Sequence, residues 1–293
     1  MIKRVFLFIV TNLAVMITIS IVLNILGVQP YLSRQGINYN SLMVFCLVWG
    51  FGGALISLAM SRVSAKWMMG VKVLQAGSAG QHEGLVQMVH NLARGAGLST
   101  MPEVGVYESP EVNAFATGPT KNRSLVAFSS GLLKTMGPKE IEGVAAHEVA
   151  HIQNGDMVTM TLLQGVVNAF VMFFARVIAF TISRNVREES QAMVQFMTVL
   201  ALDILLGILG SMVVMWFSRH REFKADAGAA TLAGSNSMIA ALQGLQRLYG
   251  RGADAEQHAS LSTMKISGKQ GRFGGLFSSH PPLEERIARL QRA

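Results

Sequence analysis

A single cysteine, Cys46, is all that 293 residues contain. No intramolecular disulfide can form, and no cysteine-based metal or redox motif exists. Cys46 sits inside an apolar run and reads as a packing residue. Charge is scarce too: Asp, Glu, Lys and Arg make up 14% of the chain against 51% apolar residues. Soluble domains run nearer about 25% charged, so a substantial part of the chain is expected in lipid. The charge leans positive, 25 Lys and Arg against 17 Asp and Glu, for a net +8. No RNP, zinc-finger or helix-turn-helix pattern accompanies that excess, so nucleic acid is not expected as a partner. Attraction to an anionic membrane face accounts for it more simply. There is no internal repeat and no long low-complexity tract.

Long hydrophobic runs, by contrast, are present. Residues 5–27 carry no charge, and residues 41–60 none either; residues 158–182 hold only Arg176, and residues 194–217 only Asp203. Each is about the 20 residues that a helix needs to cross hydrocarbon about 30 Å thick. Lys3 and Arg4 before the first run resemble a signal peptide, but the run is too long for a cleaved segment and reads as an anchor. Of the 25 basic residues, only Arg34, Arg184 and Arg187 fall in the short loops 28–40 and 183–193. The asymmetry places both termini and the long 61–157 and 218–293 segments in the cytoplasm. For the third and fourth runs a re-entrant hairpin stays open. Arg176 and Asp203 fall at similar depths in antiparallel neighbours and can pair, or Arg176 can snorkel.

The expected organisation is therefore a transmembrane hairpin (1–60), a cytoplasmic part (61–157), a second hairpin (158–217) and a second cytoplasmic part (218–293). Residues 78–97 carry a helical apolar pattern, and β-like runs follow at Val104–Val106, Asn113–Ala116 and Leu125–Phe128. Pro138 opens a helix that runs to about Asn154 and stops at Gly155. Residues 219–233 and 235–249 read as two helices, 268–275 as a mobile loop, and a final helix from Pro281 is expected to bury Leu283, Ile287 and Leu290. The fold class is a mainly α-helical membrane protein with a small β-sheet.

The segment Ala145-Ala146-His147-Glu148-Val149-Ala150-His151-Ile152 carries the chemistry. On a helix, residues four apart share a face, so His147 and His151 can offer two imidazoles to one metal ion. Glu148 is rotated by about 100°, which sets its carboxylate beside the open coordination position, where a general base takes a proton from activated water. A helix face with two incidental histidines is the bland alternative. A catalytic zinc takes a third protein ligand. Asn154 and Met157 stand where a metzincin needs Gly and His, so that class is excluded. The best candidate lies in Arg221-Glu222-Phe223-Lys224-Ala225-Asp226. Glu222 would be the ligand, and Asp226, one turn on, can hold a ligand histidine's far nitrogen. Taken alone the two are more often a solvated helix face, but a membrane hairpin between 158 and 217 returns Glu222 to the face on which His151 lies.

These residues resemble the HtpX family of bacterial membrane proteases, related to the eukaryotic CAAX prenyl proteases. The likeness rests on Thr11-Asn12-Leu13-Ala14-Val15, Asn113-Ala114-Phe115-Ala116-Thr117-Gly118, His147–His151, Arg221–Asp226 and Ser279-His280-Pro281-Pro282, spread over the whole chain. It implies a gluzincin-type site with one Zn2+, catalysis on the cytoplasmic side of the bacterial inner membrane, and turnover of damaged membrane proteins or unfolded polypeptides under envelope or heat stress. It also implies that Asn113, Ala114 and Phe115 form an edge strand that pairs with substrate, and that His280 can stabilise an oxyanion. The other histidines, His82, His90, His220 and His258, are assigned no role. Two other classes compete: a catalytically idle, zinc-stabilised scaffold or chaperone, which intact Glu148 argues against, and a metal transporter, for which Asp203 is the lone intramembrane acid.

Overall fold

The computed structural model describes residues 39–251 and 280–292. The expected anchor at 5–27 and loop at 268–275 lie outside the described residues. The chain divides into two units: residues 1–57 with 160–214, and residues 58–159 with 215–293.

Three helices long and apolar enough to cross a membrane occur among the described residues. They are α1 (Tyr39–Met68), α5 (Asp156–Ser183) and α6 (Glu188–Ala233). Within the first unit, Leu42, Phe45 and Cys46 of α1 pack with Met172, Phe173 and Val177 of α5. Arg176 donates to the carbonyl of Met172 at 3.0 Å and lies 5.6 Å from the centroid of the Phe45 ring. It makes no direct ion pair with Asp203, although the two lie near enough for their charges to act on each other. A long guanidinium reaches its own helix backbone and an aromatic face instead.

The second unit contains β1 (Lys72–Leu74), α2 (Glu83–Gly95), β2 (Glu103–Tyr107), β3 (Ala114–Thr120) and β4 (Arg123–Ser129). These are followed by α3 (Ser130–Thr135), α4 (Pro138–Asn154), α7 (Ser235–Arg251) and α8 (Leu283–Arg292). The sheet order is β1-β2-β4-β3, with β2 parallel to β4 and the other two pairs antiparallel. Strand β4 is central, and Leu125, Val126, Ala127 and Phe128 are wholly buried, as a strand covered on both faces requires. Strand β3 is an edge.

Helix α4 forms as its sequence dictates. Pro138 stands in its first turn, and the Glu140 carboxylate accepts from the Gly137 amide at 2.9 Å. Gly155, at φ 72°, ends it in the left-handed conformation that glycine adopts without strain. The helix is buried along Ala145, Ala146, Val149 and Ile152, packed against α2, β3, β4 and α7. A side chain at Gly143 would collide with the Ser237 carbonyl, so glycine is what lets α7 approach.

Two expectations are corrected here. The break near 217 does not occur: α6 is one helix of 46 residues running from 188 to 233, because the change from apolar to charged residues after Phe217 alters the environment, not the helical preference. In α8 the most buried side chains are Arg286 and Leu290, while Leu283 and Ile287 are only half-buried.

Candidate active site

Helices α4, α6 and α8 bring together side chains far apart in sequence. Nε2 of His147 and Nε2 of His151 lie 3.1 Å apart. Glu222 of α6 approaches both, its Oε2 3.3 Å from His147 Nε2 and its Oε1 3.3 Å from His151 Nε2. A tetrahedral ion with bonds of about 2.0–2.1 Å needs donor atoms about 3.3 Å apart. The three donors therefore fit a divalent metal by separation and by type, and all their ligand atoms lie within 4.8 Å of one another. Glu222 is fully buried, and among the described residues its Oε1 receives no well-formed hydrogen bond. An orphaned buried carboxylate oxygen beside two imidazole nitrogens is what a metal ligand looks like without its ion.

Each imidazole is gripped from behind by its own carboxylate. Asp226 Oδ1 lies 2.9 Å from Nδ1 of His147, and Asp156 Oδ2 lies 2.6 Å from Nδ1 of His151. Both contacts make Nδ1–H the donor and leave Nε2 for the metal. Asp226 is in turn clamped by Arg286, whose Nε and Nη2 donate at 2.8 and 2.6 Å. His280 Nδ1 donates to Glu222 Oε2 at 2.8 Å.

Burial opposes charge throughout this cluster, and the partners overcome it. Burial lowers His151, but Asp156 and Glu222 outweigh it and push its pKa up to about 9. Burial raises Glu222, yet the imidazoles of His147 and His151 beside it, with the hydrogen bond from His280, hold it well below the usual carboxylate range. Burial likewise raises Asp226, and Arg286 with His147 brings it below its ordinary value.

A cavity of about 320 Å³ opens onto the cluster. His147, Glu148, His151, Glu222 and His280 line its polar side. Val144, Met238, Ala241, Leu242 and Leu245 line an apolar wall, and Asn113, Ala114, Phe115 and Ala116 reach it from the edge strand. The residues singled out from sequence thus line one cavity, except Asp226, which stands behind His147. Asp156 and Arg286 were not singled out. Asp156 is masked by looking like an ordinary helix-starting acid. Arg286 leaves a signal, an arginine on the apolar face of Leu283, Ile287 and Leu290, but its partner is 60 residues away.

Comparison with known proteins follows the same lines. A family model described as peptidase family M48 matches residues 80–293. A protease HtpX homolog of Bacillus velezensis is 53% identical, covering 99% of both chains. One from Nitrosomonas eutropha is 51% identical over 99% of this chain and all of its own. Protease HtpX of Aeromonas hydrophila is 53% identical over 99% of both. In fold, the chain is similar to the crystal structure of S. mikatae Ste24p, with a TM-score of 0.65 at 19% identity, over 99% of this chain and 66% of that one. The chain belongs to peptidase family M48, as a membrane metalloprotease of the HtpX kind.

Proposed function

We propose that this chain is a zinc-dependent endopeptidase of the bacterial inner membrane that hydrolyses misfolded or damaged membrane proteins on its cytoplasmic side. In this reading residues 61–157 and 218–293 form the cytoplasmic catalytic part, carried by hairpins at 1–60 and 158–217. The observation that carries it is the donor spacing: His147, His151 and Glu222 present two nitrogens and a carboxylate at separations of 3.1 and 3.3 Å, beside a cavity that Glu148 also lines.

His147, His151 and Glu222 would hold zinc, which when bound would supply a Lewis acid to polarise the scissile carbonyl and lower the pKa of water toward about 7. Glu148 takes the proton from the attacking water and delivers it to the leaving amine. Asp226 and Asp156 fix the tautomer of His147 and His151, and Arg286 balances the carboxylates of Asp226 and Glu222. His280 steadies Glu222 and, from its place on the cavity wall, stabilises the oxyanion. The substrate lies extended along Asn113, Ala114 and Phe115 by adding a strand to the edge of β3, and an apolar side chain beside the scissile bond fills the wall of α7. An apolar recess next to a peptidase centre suits segments that are normally buried in a core or in lipid, which supports damaged membrane proteins as substrates. An idle scaffold has no use for a carboxylate at Glu148, and nothing in the site favours that reading.

Replacing Glu148 with Gln removes the base and keeps the ligands. Cleavage of an unfolded polypeptide by detergent-purified protein is expected to fall by at least about 10²–10⁴-fold, with bound metal unchanged. Wild-type cleavage by Glu148→Gln would refute the assignment.

A further inference from the structure

The membrane helix α1 does not end where its charge-free run ends. It continues unbroken to Met68, and at about 1.5 Å per residue its 30 residues span about 45 Å. Hydrocarbon accounts for about 30 Å of that, and the headgroup layers bring a bilayer to about 40–45 Å. The last two turns therefore reach headgroup depth, and their two faces differ. On one face Arg62 and Lys66 are both paired with Glu103 at the start of β2, Lys66 at 2.7 Å. On the other, Met60, Val63 and Trp67 form a stripe 46, 62 and 89% exposed. At about 100° per residue these three fall within an arc of roughly 60°, continuous with Ile56 in the span above. A tryptophan so exposed among the described residues, with aliphatic neighbours, is costly in water and at home at a membrane surface. Helix α6 repeats the pattern: Trp216 is 54% exposed, its ring tilted against that of His220 with centroids 4.2 Å apart, and Arg219 follows it.

We infer that the catalytic unit rests on lipid through a docking face of its own, in which Met60, Val63 and Trp67 occupy the boundary between acyl chains and headgroups. The ion triad on the opposite face locks this helix end to β2, and β2 pairs with β4, so the sheet as a whole is fixed to the lipid-held segment. The occupant is lipid rather than a protein because the stripe runs on from a membrane span without a polar break and the chain as a whole carries a net charge of +8. The inference rests on membrane embedding and not on the proposed catalysis. Its consequence, which alone depends on β3 as the substrate edge, is that the site samples polypeptide close to the membrane surface.

The test uses full-length protein with Trp67 as its sole tryptophan, made by Trp49→Phe and Trp216→Phe, in vesicles of phosphatidylcholine and phosphatidylglycerol. Lipids brominated just below the headgroup are expected to remove roughly half of the Trp67 emission, lipids brominated near the chain end less, and aqueous iodide little. Full iodide access without bromolipid quenching overturns the inference in favour of a solvated face. Protection from both quenchers overturns it in favour of a protein cover, either a second copy or a partner. Should the phenylalanines disturb insertion, a spin label at Val63→Cys in a Cys46→Ala background reads the same depth. Relaxation dominated by oxygen supports lipid contact, and relaxation dominated by a water-soluble nickel chelate overturns it.

Discussion

Helix α6 has two halves that obey opposite rules. Between 188 and 214 it turns its aliphatic residues outward, with Ile204 60% and Leu209 53% exposed. From 215 to 233 it turns its two carboxylates inward, with Glu222 at 0% and Asp226 at 2%. One continuous backbone carries both patterns. The difference teaches that solvent, not helical propensity, decides which face is hidden: lipid accepts leucine, while a buried carboxylate persists only where cations, imidazoles or a metal compensate it.

Substitutions in the two halves sharpen that contrast. The largest stability effect is expected at the compensating cation. Arg286→Met leaves the carboxylates of Asp226 and Glu222 buried without it and should destabilise the metal-free protein by about 3–5 kcal/mol. Thermal unfolding in detergent reads this, and an unchanged transition would mean that the clamp on Asp226 contributes little.

A smaller effect separates the two imidazoles. His147 leans on a carboxylate that an arginine holds, whereas the partner of His151, Asp156, begins a membrane helix. Asp156→Ala should weaken zinc affinity by about 10–100-fold with modest change in fold, measured by competition with a chelator. Affinity equal to wild type would show that His151 needs no orienting partner. The smallest effect belongs to the lipid-facing half. Ile204→Ala removes a side chain that contacts no protein core and should cost less than about 0.5 kcal/mol, read in the same unfolding experiment. A loss comparable to that of Arg286→Met would mean that this half packs against protein.

How much of this was legible in sequence follows from how local each signal is. His147, Glu148 and His151 are readable because a helix fixes their spacing within a single turn. Helix α4 announced its own ends through Pro138 and Gly155, β2 through its alternating Val104 and Val106, and β4 through the unbroken apolar run Leu125–Phe128. Strand β1 escaped because three residues beginning with Lys72 carry no pattern. The continuity of α6 escaped because the change at Arg219 looks like an end, although nothing there breaks a helix. Arg286 escaped for a deeper reason: its burial is meaningful only beside Asp226, and no local rule pairs residues on different helices. Of the two readings open for Arg176, depth alone could not choose: it lies near enough to Asp203 for the two charges to act on each other, yet its hydrogen bond goes to its own helix backbone.

The central claim, one zinc held jointly by α4 and α6, is tested most directly by the metal content of purified protein beside that of Glu222→Ala and His151→Ala. The account predicts stoichiometric zinc in the wild type and loss of both metal and cleavage in each variant. Full zinc retained by Glu222→Ala, or cleavage by wild-type protein stripped of metal, would contradict it.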